Sequence, residues 1–292
     1  MKSRWLVNLF LLVLVVGIAG VLYLRPKEAV VVAKDFEVST LKLGAIKNIS
    51  IEFPAKAAVA FEKNDGYWYI QKPFKTRADQ MAVQKVLSII AAKSAQRFPA
   101  EDLSRFGLDQ PKLKLKLDNE EFLFGTFNPV TAEQYVSYNH FVYLLPVSYS
   151  EYAETQISEF IDKSPFKPKE KIAGFNFSNL EQWESARLNV DLVDGQWKTS
   201  LEKAKPNQKE MAEWFDAYWR FMSVQRVEPY TPDRKATFPS FEVKLTDGSK
   251  VHFDKLQESP ELLLGRPDEG MMYHVPADIG FALLNPPINL GK

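Results

Sequence analysis

The sequence predicts an α+β fold: an N-terminal transmembrane helix followed by two repeated modules, each a mainly antiparallel sheet (hairpin, helix, β-meander) with a packed helix. Three observations carry this. First, Asp65-Gly66-Tyr67-Trp68 recurs as Asp194-Gly195-Gln196-Trp197, and Ser94-Ala95-Gln96-Arg97 recurs as Ser223-Val224-Gln225-Arg226, both at an offset of 129 residues. An unchanged offset keeps the spacing from Trp to Arg without a gap, the signature of a copied unit. Second, apolar residues alternate with polar ones and are punctuated by Asp-Gly turns, the period of strands. Third, residues 5–24 carry no charge.

That uncharged run is 20 residues long; at ~1.5 Å per residue a helix of this length spans about 30 Å, the thickness of a bilayer's hydrocarbon core. Asn8 is its only strongly polar residue, and Trp5 and Tyr23 sit near its ends, where amphipathic rings favour the interface. Lys2 and Arg4 precede it and Arg25 and Lys27 follow. A cleaved signal peptide would have a shorter apolar run ending in a small-x-small site. Here Gly17, Ala19 and Gly20 are followed by Val21-Leu22-Tyr23-Leu24, which points to an uncleaved anchor. The expected division is an anchor over 1–26, a stalk over 27–45, a first module over 46–162, a linker over 163–170 and a second module over 171–292. The expected orientation is a single crossing with the N-terminus inside and the bulk exported.

Hydrophobic residues at 46% and charged residues at 25% suit a chain that buries a core. The 37 basic residues are balanced by 37 acidic ones, so the chain lacks the field of a general nucleic-acid binder, and nucleic acid is not an expected partner. Cysteine is absent, which excludes disulfides, thiolate nucleophiles and Cys-based zinc sites. His140, His252 and His274 are too scattered to suggest a metal, and no cofactor is expected.

The first module opens with Ile46, Ile49, Ile51 and Phe53, then Val59 and Phe61 before Asn64-Asp65-Gly66. Asp-Gly between strand-like runs reads as a hairpin turn, because glycine adopts positive φ freely and aspartate tolerates it. Trp68 and Ile70 continue the returning strand to Pro73. A helix follows over 78–92, where Val83, Val86, Leu87 and Ile90 form one stripe and Asp79 sits at the end that favours a carboxylate. After Phe98-Pro99 and a short segment over 100–105 comes a meander: Leu113, Leu115 and Leu117; Phe122 and Phe124; Tyr135-Val136; and residues 142–145, with Asn139-His140 at the last turn. Residues 148–157 read as a short covering helix. Lys163-Ser164-Pro165-Phe166-Lys167-Pro168-Lys169 suits no regular element and marks the linker. The order then repeats: Ile172, Phe175 and Phe177; Leu188, Val190 and Leu192 into Asp194-Gly195; Trp197; a helix over 207–222; and a meander from Phe241 to Val275.

In the second helix Met211, Trp214, Phe215, Tyr218, Trp219 and Met222 fall on one stripe, the face such a helix buries against a sheet. Trp68 and Trp197, just after the hairpin turns, read as core anchors. Gln96-Arg97 and Gln225-Arg226 are polar pairs at matched positions, which invites a shared anion contact. Without a Gly-rich loop or a second basic group, a local pairing of each Arg with a carboxylate or carbonyls is the stronger expectation. His252 and His274 alternate with apolar neighbours on strands and are expected to face solvent or a module interface. No GxSxG, Walker, GxGxxG or HExxH pattern occurs, so catalytic residues are expected to be none and the chain is read as non-enzymatic. Two alternatives remain open. One is a periplasmic hydrolase acting on an envelope polymer, which needs converging carboxylates or a His–carboxylate pair between the modules. The other is a lipid or glycan carrier, which needs a cavity beside Trp214 and Trp219.

The order Asp65-Gly66-Tyr67-Trp68, Ala78-Asp79, Phe106-Gly107-Leu108-Asp109-Gln110-Pro111, Gly125 with Asn128-Pro129, Tyr135 and Val142-Tyr143 resembles the bacterial domain-of-unknown-function family DUF4340. The resemblance covers residues 59–161 best. In the second module Tyr230-Thr231-Pro232-Asp233 stands in place of the Gly-Leu-Asp-x-Pro stretch. What the resemblance implies is one N-terminal transmembrane helix, an exported remainder, and association with ABC-type transporters, including gliding-motility-like auxiliary components. It implies a protein partner in a membrane transport complex and supplies no catalytic residues.

Overall fold

A computed structural model describes residues 2–24, 35–233 and 235–288. Helix α1 (Lys2–Leu24) starts the chain, and its residues 9–19 are exposed. Among the described residues, no helix is long and apolar enough to cross a membrane; on α1 the side chains are described only over 9–20. The first part of the expected stalk, 27–34, lies outside the described residues. The rest of it is no free spacer. β1 (Phe36–Glu37) pairs with a later strand, Val38 is buried, and the Ser39 hydroxyl donates to the Ile90 carbonyl.

The first large sheet is built in sequence from β2 (Asn48–Glu52), β3 (Val59–Asn64), β4 (Tyr67–Lys72) and β5 (Thr76–Arg77). Helix α2 (Gln80–Leu87) and a 3-10 turn (Ser88–Ala91) follow, then β6 (Lys93–Ser94), which pairs with β1, and β7 (Arg97–Pro99). The meander is β8 (Leu113–Leu117), β9 (Glu120–Asn128), β10 (Glu133–Tyr138) and β11 (Phe141–Pro146), capped by α3 (Ser148–Glu154). The second sheet comprises β12 (Ile172–Asn179), β13 (Asn189–Val193), β14 (Gln196–Thr199), helix α4 (Gln208–Tyr218), β15 (Arg226–Pro229) and the meander β16 (Ser240–Leu245), β17 (Lys250–Gln257), β18 (Glu261–Arg266) and β19 (Met271–Pro276), closed by α5 (Ala277–Leu284).

Setting aside edge strand β5, which has no equivalent in the second sheet, the strand orders coincide position by position. The first sheet runs β5-β4-β3-β2-β8-β9-β10-β11-β7 and the second β14-β13-β12-β16-β17-β18-β19-β15, with every pairing antiparallel. The hairpin turns match too: Asp65 and Gly66 have φ of 51° and 85°, Asp194 and Gly195 of 52° and 74°. Two successive positive φ values close a two-residue loop whose twist suits the flanking strands, and Asp-Gly is the pair that tolerates them.

Helix α2 packs on β4 and α3, and α4 on β14 and α5, so each sheet carries a pair of helices. Met211, Trp214, Phe215 and Trp219 are buried, as the stripe requires. Both helices are shorter than their patterns suggested: Asp79 and Asn207 lie just outside them as N-caps, and at the other ends α2 tightens into the 3-10 turn at Ser88 while α4 stops at its C-cap Trp219. Helix α5 was not expected from sequence. Three indole N–H groups donate to its last carbonyls: Trp214 to Ala282 (2.7 Å), Trp219 to Leu283 (3.2 Å) and Trp183 to Leu284 (2.9 Å). A helix C-terminus leaves such carbonyls without intrahelical partners, and the tryptophans take that role.

One continuous cluster of buried side chains runs from Val38 to Leu284 through both sheets, so the halves share a core. A smaller cluster lies on the other face of the first sheet, around Phe106, Leu108 and Val142, with Phe98, Leu103 and Tyr135 against it. Gly125 makes it possible. A Cβ there would lie 2.2 Å from the Phe106 carbonyl oxygen, so only glycine lets the Phe106-Gly107-Leu108 loop press onto β9.

Candidate functional site

The chain leaves the first sheet along a 3-10 turn (Ile157–Phe160) whose Phe160 is buried edge-on against Phe61. It then crosses to β12 through residues 162–171. Arg77 and Arg266, both buried, converge on this connection.

Arg77, at the end of β5, donates to the carbonyls of Ser164 (2.6 Å) and Phe166 (3.0 Å), and contacts Asp162. Its Nε lies 3.0 Å from Glu269 Oε1 and its Nη2 3.3 Å from the Tyr273 hydroxyl. Arg266, at the end of β18, reaches the same connection from the other side. It donates to the Pro165 carbonyl, binds Glu170 through both terminal nitrogens (2.9 and 2.7 Å), and lies 2.9 Å from Asp268. Glu269 joins the two, because Tyr273 donates to its Oε2 at 3.0 Å and Arg266 Nε is 3.8 Å away. The expected linker is therefore clasped between two guanidiniums, one from each sheet. Phe166 is buried against Trp219 and Phe253, which fixes the crossing further.

Electrostatics follow from this burial. Desolvation opposes charge on both arginines, but the carboxylates outweigh it, so Arg77 and Arg266 are held protonated more firmly than a free arginine. Burial likewise opposes ionisation of Glu170, and its hydrogen bond to Arg266 overcomes that, leaving the carboxyl below its ordinary value. Asp162 shares its arginine with Glu269, and burial pushes its carboxyl up. Burial, then the neighbouring Glu269, pushes the Tyr273 phenol far up, so it stays neutral. The cluster's acids all face a guanidinium, an arrangement that fixes geometry. Among the described residues no group of His, Asp or Glu is placed to hold a metal.

The positions singled out by the repeat lie elsewhere, and the structure does not bring them together. Trp68 and Trp197 are buried, and each is latched by a side chain the sequence reading passed over. Gln80 accepts from the Trp68 N–H (2.9 Å) and donates to its carbonyl (3.1 Å); Gln208 does the same for Trp197 at 2.7 and 2.8 Å. The signal was present as Asp79-Gln80 and Asn207-Gln208, an N-cap followed by glutamine, but its offset of 128 differs from that of the tryptophans.

Gln96 and Gln225 are exposed. Arg97 begins edge strand β7 and stacks between the rings of Phe36 (4.5 Å) and Phe141 (4.3 Å). Arg226 begins edge strand β15 and lies 2.8 Å from His274 Nδ1, with Glu261 at 3.6 Å. The matched arginines thus take different partners. Of the two placements expected for His274, solvent or a module interface, the first does not hold: the ring is 5% exposed, between Glu228 (2.5 Å from Nε2) and Glu261 (2.9 Å from Nδ1). His252 is exposed and pairs with Asp254 at 3.0 Å.

The clasp residues were invisible to the repeat because they break it. Ladder register equates Arg266, opposite Met271, with Tyr138, opposite Phe141. Tyr138 instead stacks on Phe122 and donates to Glu120, and burial raises its phenol to about 12. An arginine ending the apolar run Leu262-Leu263-Leu264-Gly265 was the available sign.

No curated protein and no solved structure matches the chain. The model of the family described as a domain of unknown function, DUF4340, matches residues 68–239. The match begins at the buried Trp68, crosses the clasped connection and ends just before β16, reaching well beyond the residues 59–161 on which the resemblance rested. Covering more than half of the chain, it shows that the protein belongs to the DUF4340 family.

Proposed function

We propose that this chain is a membrane-anchored, non-enzymatic accessory protein of the bacterial envelope, in which a copied module forms a two-part scaffold for a protein partner in an ABC-type transport system. Residues 5–24 would cross the inner membrane once, with the N-terminus cytoplasmic and the bulk periplasmic; that span rests on its uncharged sequence and on α1 running over it. The observation that carries the scaffold reading is the clasp. Buried ion pairs contribute little net stability compared with apolar packing, and we read this cluster as one that selects a single geometry. Two like sheets held at one fixed angle present two surfaces at a set spacing, and a tether raises their local concentration at the membrane. The transport association draws on the family resemblance alone.

The test is crosslinking in intact membranes followed by identification of what co-purifies, alongside a chain lacking residues 1–24. The proposal expects the full chain in the membrane fraction, transport subunits in the crosslinked material, and a shortened chain that folds but loses function in cells. Full function from the untethered chain contradicts the anchor's role.

A further inference from the structure

On β19 the side chains of Met271, Tyr273 and Val275 join the shared core, so His274 stands on the sheet's other face. Ladder register places Arg226 of β15 opposite it on one side and Leu263 of β18 on the other. Glu228 and Glu261 lie two residues along those strands, on the same face and within diagonal reach of the ring. Three strands thus converge on one buried imidazole. In the first copy the match of Tyr273-His274-Val275-Pro276 is Tyr143-Leu144-Leu145-Pro146, where leucine stands in place of the histidine.

The ring cannot satisfy all of its neighbours in one protonation state. Nε2 meets Glu228 Oε1 at 2.5 Å and needs its proton there, since a carboxylate only accepts. Nδ1 has two neighbours of opposite kind: Glu261 Oε2 at 2.9 Å, which accepts, and Arg226 Nη2 at 2.8 Å, which donates. With a proton on Nδ1 the ring donates to both glutamates, and Arg226 falls back on their carboxylates, 3.6 and 3.9 Å away. Without that proton Nδ1 accepts from Arg226. Glu261 then loses its hydrogen bond to His274, the main cause holding its carboxyl below the ordinary value.

The other charged groups on the neighbouring elements are engaged or exposed. The 3-10 turn (Ile157–Phe160) packed on β15 brings Glu159, which pairs with Lys163 at 3.1 Å, and α5, packed on β18 and β19, brings Asp278, which is exposed. On β17, beyond β18, Gln257 donates to the Glu261 backbone carbonyl, His252 pairs with Asp254, and Lys255 with Glu181 and Glu258.

We propose that His274 is a proton-operated latch on edge strand β15: protonated on both nitrogens it ties Glu228 to Glu261 across β19, and with Nδ1 bare it turns to Arg226 and releases Glu261. Because β15 ends the second sheet, the proton decides how firmly a sheet edge is held. The latch is closed on the acid side and opens as pH rises. It holds whether or not the chain is tethered.

The test uses the full chain with isotope-labelled histidine, followed by nuclear magnetic resonance between about pH 5 and 8, the interval in which histidine changes charge. His140→Gln and His252→Gln, both at exposed positions, assign the remaining ring. The expected result is a proton on both His274 nitrogens at the acid end and on Nε2 alone at the other. Over the same interval hydrogen exchange of the β15 amides, corrected for its intrinsic rate and read against β16, should quicken about tenfold, as loss of a charge-assisted contact implies. That step should vanish in His274→Gln and in Glu261→Gln, and Arg226→Gln should loosen β15 more at the alkaline end than at the acid end. A Nδ1 signal unchanged across the interval in the parent overturns the latch even if His274→Gln fails to fold. A step that survives in a folded His274→Gln also overturns it, and an equal effect of Arg226→Gln at both ends overturns the exchange of partners.

Discussion

Arg77 gathers two carboxylates, a phenol and two backbone carbonyls around one guanidinium, and its weight lies in what its removal strands. Arg77→Ala leaves the half-buried Asp162 without its cation and takes from Glu269 the nearer of its two guanidiniums, a loss of about 3 kcal/mol. Arg97→Ala removes an exposed guanidinium from two rings and should change stability by under about 1 kcal/mol. Urea denaturation of the two variants side by side checks this; equal midpoints contradict it. The cluster also sets a pH dependence. Glu170 titrates below its ordinary value when folded, so its contribution is present above the ordinary carboxylate range and is lost as pH falls through the folded value. Asp162, pushed up, works in the opposite sense. Tyr273 titrates above its ordinary value of about 10, and the buried group is stabilised as the neutral phenol. Its contribution is therefore present below pH ~10 and declines as pH rises beyond it. Unfolding free energies measured from pH 7 upward should fall in the parent and fall less in Tyr273→Phe.

Among the elements, those with a strong period were legible and those defined by their neighbours were not. The α4 stripe and the Asp-Gly hairpins followed from spacing alone, because burying one helix face or closing a two-residue loop is a local demand. Helix α5 escaped, since Ala277-Asp278-Ile279-Gly280-Phe281-Ala282-Leu283-Leu284 is a short apolar run that strand and helix share equally. Its helical state is fixed by the three indoles at its end. Trp214→Phe keeps a large ring while removing one of those donors, and should destabilise by about 1–2 kcal/mol. Protection of the α5 amides from hydrogen exchange should drop more than that of β16. Likewise Gly125→Ala drives a methyl into the Phe106 carbonyl and should cost about 1–3 kcal/mol, whereas Gly44→Ala, with nothing within 4 Å of the added atom, should be near neutral. Indistinguishable melting of these two glycine variants would count against the loop-on-strand packing.

For the whole molecule, the repeat foretold the strand order of the second sheet from the first, but not how the sheets meet. Their meeting depends on residues such as Arg77 and Arg266 that have no matching arginine in the other copy, and on a connection whose prolines and lysines read as loose. In the fold that connection is instead among the most constrained segments, with Phe166 buried and three successive carbonyls claimed by the two arginines. A shared core running from Val38 to Leu284 makes the same demand: the halves move as one. Distance measurement between the sheets tests this most directly. The chain has no cysteine, so spin labels at Glu121→Cys and Asp247→Cys, both exposed, report one distance by pulsed electron resonance. A single narrow distribution in the parent that broadens in Arg77→Ala is the predicted result; a broad or two-peaked distribution in the parent would contradict a clasped pair of sheets.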